Sequence, residues 1–99
     1  MAEYDDKISD LLGNLSPGLR AMTVSNFTAE FVEGDQSAED RTMAVAIFRG
    51  SLRDDSIEVR KTLSEDLKLS SLVPHDIALV LAKDIPDVAL PFLENSPVL

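Results

Sequence analysis

Residues 52–65, LRDDSIEVRKTLSE, are echoed 29 residues later by residues 81–94, LAKDIPDVALPFLE. Leu52 matches Leu81, Asp55 matches Asp84, Val59 matches Val88 and Glu65 matches Glu94; Glu58 meets Asp87 and Leu63 meets Phe92. Each copy reads as the end of one helix, a tight turn closed by aspartate, and a second helix begun by an acid and a valine. A helix–turn–helix unit repeated at this period marks an α-solenoid, because one unit cannot bury its own apolar face and stacked neighbours can. The expected fold is therefore all-α: a right-handed, α-solenoid-like stack of helical hairpins with about six helices. An unrelated small helical bundle is the alternative.

Punctuation places the helices. Tyr4, Ile8, Leu11 and Leu15 fall at helical spacing, which predicts a first helix over roughly 3–12, ended by Gly13-Asn14. Ser16 caps the next helix and Pro17 takes its first position, where no N–H is needed. That helix is predicted over 17–33, with Leu19, Met22, Phe27, Phe31 and Val32 as its buried face and Gly34 as its stop. Ser37 caps a third, over roughly 38–53, in which MAVAIF is apolar all round and so expects cover on more than one side. Asp55 and Glu58 stand at cap spacing for a fourth over 56–67, with Ile57, Val59, Leu63 and Leu67 inward. A fifth is predicted over 74–83, with IALVLA covered on several sides, and a sixth over 85–95 behind the cap Asp84. Pro91 removes an internal hydrogen bond from the sixth, so a kink or a late start is expected there.

Ninety-nine residues make one small domain, expected to be helical over 1–99. Eighteen acids against nine bases give a net charge of −9, which argues against phosphate-mediated nucleic-acid binding and against anionic membrane surfaces. If charge steers a partner, that partner is basic. The chain has no cysteine, which removes disulfides and thiolate metal sites and fits a reducing cytoplasm. The opening MAEYDDKISD is acidic where a secretory signal carries positive charge, so no signal and a cytoplasmic location are expected. The apolar runs IALVLA and MAVAIF are far shorter than the ~20 residues of a bilayer-spanning helix.

LRDDSIEVRKTLSEDL followed by VPHDIALVLAKDIPDVALPFLENSPVL resembles a bacterial family known as domain of unknown function 2336. The pattern is D-x-x-x-V-[R/A] and then LE-x-SPVL; the resemblance covers residues 37–99 well and 16–36 more loosely, and does not reach residues 1–15. That family looks like HEAT repeats, paired helices with Asp at the turn and Val-Arg opening the second helix. The resemblance implies HEAT-like repeats over 16–99 behind an N-terminal capping helix at 1–15, in a chain that is the N-terminal part of a longer protein. It brings no known catalytic residue, cofactor or partner. Ala89 stands where Arg60 stands in the other copy, so an Asp–Arg ladder between repeats is interrupted there; Arg60 is expected to reach Asp55 or Asp84.

Candidate chemistry is sparse. Asp54, Asp55 and Glu58 could offer oxygens to Ca²⁺ or Mg²⁺, but DDSIE has neither the alternating spacing nor the glycine of a Ca²⁺ loop. Acids at a helix start are better explained as caps that satisfy orphan N–H groups and the helix dipole. On this reading Asp55, which recurs as Asp84, is the cap, and Asp54, which falls on Lys83, is an ornament of the turn. His75 is the only histidine, and a zinc site needs three or four N or S ligands. No nucleophile motif or phosphate-binding glycine loop occurs. No catalytic, cofactor-binding or metal residue is therefore assigned, and the chain is expected not to be an enzyme.

The expected function is a non-catalytic protein–protein interaction or scaffold module. The polar face Arg60, Lys61, Ser64, Glu65 and Lys68 is its candidate contact surface, with Ser16, Ser37, Asp55 and Asp84 as structural caps. Phe27 and Phe31 form a candidate groove but fit core packing better. Expected partners are another protein, further repeats of the same chain, or a second copy docked at the exposed apolar end, residues 92–99. The alternatives are a small acidic regulatory domain for a basic partner and a metal-dependent domain using the turn carboxylates.

Overall fold

Ser16 and Ser37 set the first two helix starts: their hydroxyls accept the N–H groups of Leu19 (3.3 Å) and Asp40 (3.1 Å). In the computed structural model, which describes residues 12–99, five helices follow in order: α1 Pro17–Glu33, α2 Ala38–Ser51, α3 Ile57–Leu67, α4 His75–Ala82 and α5 Pro86–Asn95. The helix expected over 3–12 lies outside the described residues except at Leu12, so five rather than about six helices are seen among them. No strand occurs among the described residues, and no helix there is long and apolar enough to cross a membrane. The Cα radius of gyration is 12.4 Å, that of a compact chain of this length.

The helices α1, α3 and α5 lie side by side, with α3 packed against both of the others. α2 packs on α1 and α3, and α4 packs on α5. One apolar cluster runs through all five: Val24 and Phe31 from α1, Ala44, Ile47 and Phe48 from α2, Val59, Leu63 and Leu67 from α3, Ile77 and Leu81 from α4, Val88 and Phe92 from α5. Phe31 and Phe48 meet edge to face, with ring centroids 5.1 Å apart and planes at 88°. Of the sequence pair Phe27 and Phe31, Phe31 is in the core and Phe27 is partly buried and packs against it.

Several faces turn differently from expectation. α1 buries Ala21, Val24, Thr28 and Phe31, while Leu19, Met22 and Val32 are exposed. The small Ala21 and Thr28 share the buried face with Val24 and Phe31, and Thr28 reaches Asp66 of α3. Ile57 is exposed in the first turn of α3. On α4, Ile77, Ala78 and Leu81 are buried but Leu79 and Val80 are not, so its apolar run is covered on one side only. The MAVAIF run of α2 is covered more widely: Ala44, Ala46, Ile47 and Phe48 are buried, and Met43 and Val45 pack against the cluster. α5 starts at Pro86 and runs on through Pro91. Gly34 ends α1 in the left-handed region (φ 80°), with its N–H bonded to Phe31 O; a side chain there would be strained.

The turn before α3 overturns the assignment of its two aspartates. Ser56, not Asp55, caps α3: its hydroxyl accepts the Val59 N–H at 3.4 Å. Asp55 points outward, its side chain 99% exposed, with one Arg20 nitrogen at 3.6 Å. Asp54 is 10% exposed and receives both Nε (2.7 Å) and Nη2 (3.0 Å) of Arg20, while its Oδ1 also accepts the Ser56 N–H at 2.9 Å. The cause is reach. Arg20 lies one turn into α1, where its fork meets the carboxylate two residues before the α3 cap. Asp84 is likewise no side-chain cap for α5, whose cap position is Ile85. Instead Asp84 Oδ1 accepts the Ile85 N–H at 2.7 Å and the carboxylate receives Arg60 Nε at 2.9 Å.

This division of labour ranks two neighbouring substitutions. Asp54→Ala is expected to lower the midpoint of thermal unfolding clearly, because it strands the Arg20 fork and the Ser56 N–H. Asp55→Ala is expected to leave it within experimental scatter. Circular dichroism melts of the two variants measure the order, and equal losses would return the cap to Asp55.

Candidate functional site

Three aspartates and three arginines form a recurring link. Arg20 of α1 holds Asp54 before α3, Arg60 of α3 holds Asp84 before α5, and Arg49 of α2 holds Asp76 of α4 through Nε (3.0 Å) and Nη2 (3.1 Å). Each is a fork-to-carboxylate contact, the geometry that suits guanidinium better than ammonium. Arg20 and Arg60 also brace their own helix starts, with Nη1 donating to Leu15 O (2.7 Å) and Asp54 O (2.6 Å). The hydrogen bond to Asp54 raises the Arg20 pKa above its already high value.

The link fixes the fate of the predicted contact face. Arg60 is occupied by Asp84 and Asp54, and Ser64 is buried, its hydroxyl donating to Val88 O at 2.6 Å. Both belong to the α3–α5 contact and neither is free to meet a partner, because α5 covers that side of α3. Lys61 is exposed, and Glu65 and Lys68 pair with each other at 3.1 Å. The polar face of α3 is thus split between an internal seam and a solvated strip.

The same seam recurs between α1 and α3, where Ser25 (3.0 Å) and Thr28 (2.8 Å) both reach Asp66 Oδ2. A shallow groove of about 220 Å³ lies there, floored by Asp66 and walled by Ala29 and Val32. A larger cleft of about 580 Å³ opens beside the Arg20–Asp54 link and includes Leu12, Arg49, Arg53 and Asp55 in its walls. Asp54, Arg20 and Arg49 in these walls already serve the links, whereas Asp55 is exposed. Among the described residues no group of three or more His, Cys, Asp or Glu side chains is placed to hold a metal. His75 is exposed at the start of α4, with Nδ1 3.0 Å from Val98 O; a carbonyl only accepts, so Nδ1 carries the proton.

The exposed apolar end lies more on α5 and α4 than on residues 92–99 as a block. Phe92 is buried, whereas Leu90 (50%), Leu93 (51%), Ile85, Leu79, Val80 and Leu99 are exposed. The Ser96-Pro97 pair starts no helix; Ser96 ends α5 with its N–H on Phe92 O, and its hydroxyl accepts the Val98 N–H.

Sequence reasoning missed Arg20, although a signal was present. NLSPGLR (14–20) matches DDSIEVR (54–60) at the serine cap and at the arginine four residues on, with Asn14 where Asp54 stands. Comparison of the chain with protein-family models, curated proteins and solved structures finds no match.

Two measurements follow from these contacts. Ser64→Ala leaves the Val88 carbonyl without its buried donor and is expected to cost about 1 kcal/mol in urea denaturation, whereas Lys61→Ala stays within about 0.5 kcal/mol of the parent. The Arg49 guanidinium, chiefly by hydrogen bonding, holds the Asp76 carboxyl below its ordinary range. A carboxyl depressed in the folded chain adds stability that is present above its unfolded pKa and is lost as the pH falls through the folded value. The pair is exposed and screened, so Asp76→Asn is expected to cost roughly 0.5 kcal/mol at neutral pH. That difference should vanish below about pH 3, where both chains carry a neutral group; urea titrations at several pH values measure it.

Proposed function

We propose that this chain is a non-catalytic protein-binding scaffold module built of HEAT-like helical hairpins, as the resemblance to the domain of unknown function 2336 family implies. The observation that carries the reading is the repeated arginine–aspartate link, which joins α1 to α3 and α3 to α5 in the same sense. A row of helices joined by one repeated contact is how a solenoid grows. The turn carboxylates Asp54 and Asp84 are engaged in that contact, which supports a structural role for them rather than a metal-dependent one. The exposed apolar side chains of α4 and α5 give the module a surface for another protein or for further repeats.

Affinity purification of the full-length gene product, followed by reconstitution from purified components, tests this. The expected result is a stoichiometric complex with one defined protein by light scattering. No reconstituted complex, together with a melting point raised several degrees by Ca²⁺, Mg²⁺ or Zn²⁺ and no longer raised in Asp54→Asn, would replace the scaffold reading with the metal-dependent one.

A further inference from the structure

The side of α5 that faces away from α3 and α4 has a composition unlike that of the other links. Val88, Ala89 and Phe92 are buried, and the opposite arc of the helix carries Pro86, Asp87, Leu90, Leu93 and Glu94. At 3.6 residues per turn these five side chains fall within about a third of the helix circumference. Leu90 and Leu93 are half exposed side by side, and Asp87, one turn before Leu90, and Glu94, one turn after it, line one edge of that pair. Neither acid has a hydrogen bond or an ion pair among the described residues, and α5 contains no Lys or Arg.

The link that continues the row is missing here. Counting from the helix caps, Ala89 takes the position of Arg60, Leu93 that of Ser64 and Leu90 that of Lys61. A further helix of the same kind would need an arginine from α5 for its turn aspartate and would find none. A second copy placed α5 to α5 would bring Asp87 and Glu94 against their own images, between molecules that each carry a net charge of −9. Two leucines edged by unpaired carboxylates instead complement a helix that offers apolar side chains with lysine or arginine along one edge, with the anionic field drawing it in.

We propose that the open arc of α5 is the docking site for a basic amphipathic helix of a partner protein, with Leu90 and Leu93 as the apolar anchors and Asp87 and Glu94 as the acids along one edge. This rests on the protein-binding reading and names the partner's chemistry.

The probe is a synthetic helical peptide of about 18 residues made of leucine and lysine, with a leucine–glutamate counterpart as control. It is titrated into ¹⁵N-labelled full chain. Amide shifts are expected to concentrate on residues 86–95, and binding is expected to weaken as salt rises. Leu93→Asp should weaken it at least about tenfold, and Asp87→Asn with Glu94→Gln about threefold while flattening the salt dependence. All these side chains are exposed, so the variants should keep the parent circular dichroism spectrum, and a Leu90→Ser variant gives an independent reading of the apolar anchor. Shifts confined to α1 and α3, equal binding of the glutamate peptide, or no loss in either leucine variant would overturn the proposal. So would a concentration-dependent dimer abolished by Leu93→Asp, which would assign the arc to a second copy. Each of those outcomes leaves the reconstituted complex of the preceding section standing, so the two failures are separable.

Discussion

The buried fork between Arg20 and Asp54 organises the first half of the chain. It joins the first turn of α1 to the turn before α3, and both partners are mostly removed from solvent. A carboxylate taken out of water needs more than a countercharge; it needs its lone pairs filled. Asp54 meets that demand with two guanidinium bonds and the Ser56 N–H. The same carboxylate therefore aims α3 and fixes where it begins. Arg60 then repeats the arrangement toward Asp84, using the Asp54 carbonyl as its own brace, so the second link is built on the first.

Around these links the packing is modest in size and specific in place. Deep contacts are made by Phe31 against Phe48 and by the Val59, Leu63 and Leu67 stripe of α3, which is enclosed by its neighbours. Hydroxyls carry the seams where helices of the row touch: Ser25 and Thr28 on Asp66, and Ser64 on Val88 O. A hydroxyl in such a seam is directional, so it fixes the register of two helices that apolar contact alone would let slide.

The helices themselves were legible from Ser16-Pro17, Gly34, Ser37 and the apolar stripes, because caps and periodicity are local properties. Asp54 and Asp55 could not be told apart that way. Both precede the helix at short range, and what separates them is Arg20, brought in from 34 residues upstream. The large apolar residues of α1 misled for a related reason: hydropathy favours Leu19 and Met22 as inward, but the buried face carries Ala21 and Thr28, the latter bonded to Asp66 of α3, 38 residues away. Arg60 and Ser64 read as a solvent face because nothing local announces that α5 will cover them. Comparing the two copies narrowed the partner of Arg60 to Asp55 or Asp84, because that comparison is non-local by construction, and the structure selects Asp84.

The links are polar in the directional sense too: arginine always comes from the earlier helix and aspartate from the later turn. A contact of that kind is head-to-tail, and a head-to-tail contact that does not close on itself grows without limit. Asn14 stands at the position that matches Asp54, and Ala89 at the position that matches Arg60. Neither position carries the charge of its counterpart, so among the described residues the head-to-tail series along the row consists of the Arg20–Asp54 and Arg60–Asp84 links.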